Sequence, residues 1–478
     1  MVVTRGARVG LLVLALAAAG APLLLRREPA RPNIVLVVLD TLRADSLGCY
    51  GSPHTVTPHL DRIAAGGLRF ERAVAQAPWT VPSLASLLTG LYPSEHGQGA
   101  QRSSRRARRV RTLAARLAAR GYQTAAFSEV GFPLLKRGFR TFEMPAGDGD
   151  ERLAHPERDG AELTFSRGLA WLRTRDPRPF FLLLHTYEVH DYFMAKPYQR
   201  DLAQRTNPSY RAPFLQWAIR DKREPVGERL IEDLLAADAQ DIAFVHGLYL
   251  AAVAAADRAV GRLDATLAEL GLASETVLVV VSDHGEGFAP QLRRVSHGGR
   301  LHDDLLRVPL LVRWPGRIPA GVVAVRIETL DLLPTLLSLA RAGNAPPVSG
   351  RGLLEAEGGW RRLLGMERFV PVRGPERQAF AEESALFVDE TGRRRTSSVH
   401  QFALYSRGAK LIRRGESVEL YDLEADALEQ RNLAVPHPQL AAAMGEQLAR
   451  RVRDLALPVA AAHDPETLDV LRSLGYVR

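Results

Sequence analysis

Two runs of β-branched residues limit the fold more than anything else in the chain. Asn33 to Asp40 reads N-I-V-L-V-V-L-D, and Thr276 to Asp283 reads T-V-L-V-V-V-S-D. Neither alternates apolar with polar residues, which predicts strands buried on both faces of a parallel sheet. Phe180 to His185, F-F-L-L-L-H, is a third such run, and Arg307 to Trp314 reads as a further strand. Between them lie helical stretches at 58–66, 112–120 and 241–270 and a strand at 123–127, an alternation that predicts an α/β domain. The first two runs each end in a carboxylate. Ligands of open α/β sheets bind outside the carboxyl ends of strands. An aspartate in that position is, taken alone, a turn former. Two of them, the second followed by His284, converge at one sheet edge if their strands are neighbours.

Trp79 to Gly90, W-T-V-P-S-L-A-S-L-L-T-G, supplies a second constraint. Pro82 suits a first helical turn and Gly90 a helix stop, which puts Thr80 at the helix entrance. Unpaired N–H groups and the positive end of the macrodipole favour an anion there. Alone, Thr80 reads as a helix cap. Ser83 and Ser86 are alternative hydroxyls that fall past the entrance. His190 and Asp191 follow the third strand, with His185 within or at the end of it, and His190 is the stronger site candidate of the two histidines. His96 reads as structural. Two carboxylates, a histidine and a hydroxyl form an oxygen-rich donor set for a divalent ion such as Mn²⁺, Zn²⁺, Ca²⁺ or Mg²⁺. Coordination to such an ion makes the alkoxide of a threonine available as a nucleophile. Together these groups describe displacement at phosphorus or sulfur.

On the scale of the whole chain, 478 residues can bury a large core, and 46% hydrophobic with 24% charged residues is the composition of a folded protein. A net charge of +9 raises nucleic acid as a partner. The arginines are dispersed, however, and the one dense run, Arg102 to Arg111, reads as a solvated loop and helix face. No nucleic-acid partner is expected. The single cysteine, Cys49, forms no internal disulfide and reads as a small buried residue. Residues 1–31 carry Arg5 and Arg8, an apolar run from Val9 to Leu25, then Arg26 and Arg27. This pattern predicts export, as a signal peptide or a single N-terminal membrane anchor, and periplasmic or outward-facing work. Residues 195–240 read as a surface insertion, and Asp331 as the cap of a helix. From about residue 375 the pattern becomes antiparallel, with strands at 401–406, 410–414 and 418–422 and closing helices at 437–456 and 465–474. The expected division is thus a catalytic domain over 32–374 and a smaller α+β subdomain over 375–478.

From about Pro32 onward the chain resembles the sulfatase branch of the alkaline-phosphatase superfamily. The matching pieces, in family order, are N-I-V-L-V-V-L-D, P-W-T-V-P-S-L-A-S-L-L-T-G-L-Y-P, the H-x-x-x-x-H-D run at 185–191, S-D-H-G-E-G-F, H-G-G-R-L, R-V-P-L-L-V-R, D-L-L-P-T-L-L, E-L-Y-D-L and R-N-L. The resemblance implies a mostly parallel sheet flanked by helices, followed by the smaller subdomain with its antiparallel sheet. It implies that Asp40, Thr80, Asp283 and His284 hold the metal. Thr80 would be the nucleophile, and His190 and His297 would contact substrate, assist proton transfer or complete a second site. Sulfatases carry Cys or Ser in a C/S-x-P-x-R motif that matures to formylglycine. Here Thr80 and Leu84 stand in its first and last positions, so that group cannot form, and Thr41 stands where the family has a second Asp. The pattern is closer to the threonine-nucleophile members, the phosphoethanolamine and phosphoglycerol transferases and related phosphodiesterases. The expected function is hydrolysis of a phosphate or sulfate ester, on a glycan or lipid headgroup among other carriers. The alternatives are transfer to a second alcohol, or binding of an anionic glycan or lipid headgroup with weak catalysis.

Overall fold

The computed structural model describes residues 31–54, 56–98, 110–145, 160–194, 196–206, 236–343, 348–357, 368–372, 378–383, 386–388, 394–396 and 400–454. The expected signal or anchor up to Ala30, the basic run through Arg109, much of the 195–240 insertion and the closing helix at 465–474 lie outside the described residues.

The buried runs form the centre of a mixed, mostly parallel sheet. In chain order its strands are β1 (Asn33–Leu39), β2 (Leu68–Val74), β3 (Gln123–Ser128), β4 (Thr141–Glu143), β5 (Phe180–Thr186) and β6 (Thr276–Val281). After a small hairpin of β7 (Phe288–Ala289) and β8 (Arg294–Val295) come β9 (Arg307–Arg313), β10 (Gly321–Val323) and β11 (Ile327–Glu328). The order across the sheet is β10-β2-β9-β6-β1-β5-β3-β4, with β11 also on β2. β1 runs parallel to both β5 and β6, with Val38 level with His185 on one side and with Val281 on the other. β9 is antiparallel to its neighbours β2 and β6.

Side chains alternate between the two faces of a strand. Ile34, Leu36 and Val38 of β1, Phe181 and Leu183 of β5, and Val277, Val279 and Val281 of β6 share one face. The helices Thr80–Thr89, Leu113–Ala118 and Leu332–Leu339 cover it. Val35, Val37 and Leu39, with Leu182, Leu184, Leu278 and Val280, pack on the helices Pro58–Ala65, Gly160–Thr174 and Ala239–Glu269. The last of these helices is long and apolar enough to cross a membrane, yet it is a core helix, with Phe244, Leu248, Val253 and Leu263 buried against the sheet.

Two short ribbons, β12 (Leu354–Glu357) with β13 (Arg368–Pro371) and β15 (Leu386–Val388) with β16 (Arg394–Thr396), and a second sheet complete the strands. That sheet is antiparallel, in the order β14 (Ala379–Glu383), β17 (Gln401–Ser406), β18 (Ala409–Arg414), β19 (Ser417–Asp422). The helix Pro438–Asp454 packs on it through Met444 and Leu448. Tyr92 and Phe380 meet edge to face at 5.2 Å where the two sheets join.

Within the expected 195–240 insertion, residues 197–206 form a helix on the long helix, with Gln199 and Ala203 buried against it and Pro197, Asp201 and Arg205 exposed. Two local expectations are corrected. Asp331 does not cap the following helix: its carboxylate accepts the N–H groups of Glu328 (3.2 Å) and Arg351 (2.6 Å). Cys49 is only half-buried.

Candidate metal and catalytic site

Strand parity assembles the site. Asp40 continues the β1 face that carries Ile34, Leu36 and Val38, and Asp283 continues the β6 face that carries Val277, Val279 and Val281. His185 lies on the β5 face that carries Phe181 and Leu183. All three therefore project toward the side covered by the helix Thr80–Thr89. That helix starts at Thr80, after Trp79, and ends on Gly90, whose φ of 70° suits a residue without a Cβ. Asp40, His185 and Asp283 bring one ligand atom each to within 4.8 Å of one another, and all three are fully buried.

Their hydrogen bonds leave a distinctive remainder. Asp283 Oδ1 accepts from the backbone N–H of His284 at 2.9 Å and of Thr41 at 3.4 Å. Buried Asp283 Oδ2 and Asp40 Oδ1 have no hydrogen-bond partner. Burial first, and the neighbouring Asp283 charge second, hold the Asp40 carboxyl well above the usual carboxylate range. Each histidine is held from behind. His284 Nδ1 donates to the carbonyl of Gly285 at 2.9 Å, which turns Nε2 toward the carboxylates. Ser128 gives its proton to the carbonyl of Val130, so its Oγ accepts from His185 Nδ1 at 2.9 Å. His185 Nε2 then faces Asp40 Oδ2 at 3.3 Å, and His284 Nε2 faces Asp283 Oδ2 at 3.4 Å and Asp40 Oδ1 at 3.7 Å. Acceptors facing acceptors repel unless positive charge lies between them. Carboxylate and imidazole donors directed at one point, with second-layer hydrogen bonds behind them, fit a divalent cation.

Thr80 stands at the rim of this cluster. Its Oγ1 is 3.2 Å from Asp40 Oδ2 and 3.3 Å from His284 Nε2. Ser83 donates to the carbonyl of Asp283 at 2.6 Å and Ser86 pairs with His96 at 3.0 Å, so Thr80 is the hydroxyl of this helix at the cluster. His96 is structural as expected: burial pushes its ring down to about 3. Next to Asp40, Thr41 has a φ of 57°, a strained left-handed conformation for a β-branched residue. Tyr249 holds this turn by donating to the carbonyl of Thr41 (3.0 Å) and accepting from Arg43 N–H (2.9 Å).

His190 and His297 stand beside the cluster and not in it. His297 lies next to His284, with ring centroids 4.8 Å apart, and His190 is 5.1 Å beyond His297. Each has a carboxylate on Nδ1, Asp191 at 2.9 Å and Glu286 at 3.1 Å. The sequence ranking of His190 above His185 is therefore reversed for the metal cluster. Parity within F-F-L-L-L-H puts His185 on one face with Phe181 and Leu183, and only the strand order shows that this is also the face of Asp40 and Asp283.

A helix-flanked sheet with a buried cluster of carboxylates and imidazoles at its carboxyl edge, followed by an antiparallel sheet, defines an alkaline-phosphatase-like protein. The Sulfatase family model matches residues 32–342, and the chain belongs to that family. Arylsulfatase A of Homo sapiens is 30% identical over 372 residues, which cover 65% of this chain and 64% of that protein. The chain thus spans a little under two thirds of its human relative. An arylsulfatase of Clostridium perfringens is 24% identical, covering 84% of this chain and 90% of that protein. Among solved structures, the phosphonate monoester hydrolase of Agrobacterium radiobacter superimposes with a TM-score of 0.66 at 20% identity, over 88% of this chain and 96% of that one.

Proposed function

We propose that this chain hydrolyses a phosphate or sulfate ester, with Thr80 as nucleophile. The observation that carries the reading is the contact of Thr80 Oγ1 with both Asp40 and His284 beside a cluster fit for a cation. A divalent cation held by Asp40, Asp283 and His284, with His185 beside them, would supply Lewis acidity that lowers the pKa of the threonine hydroxyl. Thr80 Oγ1 bonds to the phosphorus or sulfur as the ester oxygen departs, and its proton passes to the neighbouring Asp40 carboxylate. Water then cleaves the threonine ester and restores the hydroxyl. The N-terminal N–H groups of the Thr80–Thr89 helix face the anionic oxygens. His190 and His297, each steadied by a carboxylate on Nδ1, donate to substrate oxygens, and one of them protonates the leaving oxygen.

The test offers purified protein aryl sulfates, phosphomonoesters, phosphodiesters and phosphonates with Mn²⁺, Zn²⁺, Mg²⁺ or Ca²⁺. Turnover of at least one ester is expected, with Thr80→Ala lowering kcat/KM by ~10³-fold or more at unchanged Tm. Equal rates for Thr80→Ala and wild type, or no turnover with any pair, overturn the reading.

A further inference from the structure

The turn that carries His297 does not hold itself. Ser296, Gly298 and Gly299 have φ of 56°, 77° and 75°, so three of its four residues are left-handed. Only the two glycines adopt that region without a steric penalty. Such a turn takes its shape from hydrogen bonds made to it from outside. Gly298 N–H donates to the carbonyl of Pro78, two residues before Thr80, at 3.0 Å. The Gly299 peptide is gripped on both sides by the C-terminal sheet. Its N–H donates to Glu383 Oε1 at 2.8 Å, and its C=O accepts from Gln401 Nε2 at 2.9 Å.

Glu383 and Gln401 are directly opposite one another in the β14–β17 register, so both side chains leave the same face of the sheet. Both are buried, at 3% and 5% exposure. The adjacent Glu382 points the other way. Its backbone N–H donates to the carbonyl of Gln76 at 3.0 Å, and its carboxylate accepts the N–H of Ser94 at 2.6 Å. One strand end therefore touches the His297 turn and the chain on both sides of the Thr80 helix. Burial pushes the Glu383 carboxyl up to about 8, a cost that a carboxyl at the surface would avoid.

We propose that Glu383 and Gln401 act as a positioning clamp, fixing the Gly299 peptide so that His297 stays beside His284 and Thr80. The C-terminal sheet is thereby a working part of the site as well as a cover for the core. The inference rests on the substrate-contacting role given to His297 above, and its test keeps the two apart.

Glu383→Ala, Gln401→Ala and Glu383→Gln are compared with Gln378→Ala, a change in the segment leading into the same sheet, at a side chain that bonds Ser406 and Gln447 and not Gly299. Amide exchange at residues 296–299, the imidazole NMR signals of His297 and His96, and ester turnover are measured for each. Both clamp alanine variants are expected to raise Gly299 amide exchange tenfold or more, shift the His297 signals but not those of His96, and lower kcat/KM tenfold or more. Glu383→Gln, whose amide oxygen still accepts, falls less. Gln378→Ala keeps wild-type exchange at 296–299. Unchanged Gly299 exchange in Gln401→Ala, unchanged His297 signals, or faster exchange with unaltered kcat/KM overturns the clamp. Should Glu383→Ala not fold, Gln401→Ala decides alone, since it keeps the carboxylate. A wild-type protein that turns over no ester defeats the hydrolase reading only; exchange and the His297 signals still judge the clamp.

Discussion

The metal cluster and the seam between the two sheets both crowd acids into the interior, but their oxygens are arranged in opposite ways. At the seam, each carboxyl reaches a different donor across the junction. Glu328 accepts from Phe380 N–H and Tyr92 Oη, both at 2.9 Å, Glu382 from Ser94 N–H, and Glu383 from Gly299 N–H. Burial pushes Glu328 and Glu383 up to about 8 and Glu382 to about 7, so these groups hold protons near neutral pH. Asp40 and Asp283 are equally buried, yet Asp40 Oδ1 and Asp283 Oδ2 have no hydrogen-bond partner and both face His284 Nε2, with His185 Nε2 against Asp40 Oδ2. Among the described residues this is the one group of acids and histidines set close enough to hold a metal. Burial alone therefore does not mark a site. Convergence of acceptors without donors does.

The largest effect that could break this contrast is metal-linked stability. A divalent cation at about 1,000 times its Kd is expected to stabilise the wild type by about 4 kcal/mol. Calorimetry should show Asp283→Asn losing that increment and Glu382→Gln keeping it. Equal cation responses in the two variants would erase the distinction.

Next in size is the pH dependence of the seam. The unfolded glutamates release their protons near 4.5, whereas the folded ones hold theirs to about 7 or 8. The unfolded chain therefore binds fewer protons in this window, and stability falls as pH rises from about 4.5 to 8. Glu382→Gln should flatten part of that fall and be more stable than wild type at pH 8 by about 1–3 kcal/mol in denaturant titrations. A variant with the wild-type pH slope would place the cost elsewhere.

The smallest effect concerns the strained turn at the cluster. Tyr249→Phe removes the hydroxyl that bonds Thr41 and Arg43, and should cost about 1–2 kcal/mol with a lower cation affinity. A stability loss without an affinity change would separate the Thr41 strain from the metal site.

Much of the cluster is legible in the chain itself. Uninterrupted β-branched runs ending in Asp40 and Asp283 identify both strands and their functional ends, and Pro82 with Gly90 brackets the helix that begins at Thr80. His185 is hidden in the sequence because a histidine that completes an apolar run reads as strand interior. Its significance depends on β5 lying next to β1, and a neighbour relation is not written in either strand. Asp331 differs for a related reason: its carboxylate closes a capping box on Glu328 N–H, one turn earlier than a cap of the helix at 332 would, and also takes the N–H of Arg351 from a distant segment.

The sequence by itself determined the buried α/β core and the segments that bear chemistry, because hydrophobic period and turn chemistry act over a few residues at a time. Tertiary structure alone decided which groups meet. It set His185 against Asp40 across 145 positions of chain, and it put His190 and His297 beside the cluster and not in it. It also brought Glu383 and Gln401 to the two sides of one glycine peptide. The physical reason is that these contacts depend on strand order, register and sheet docking, which the whole buried surface fixes together and no single segment encodes.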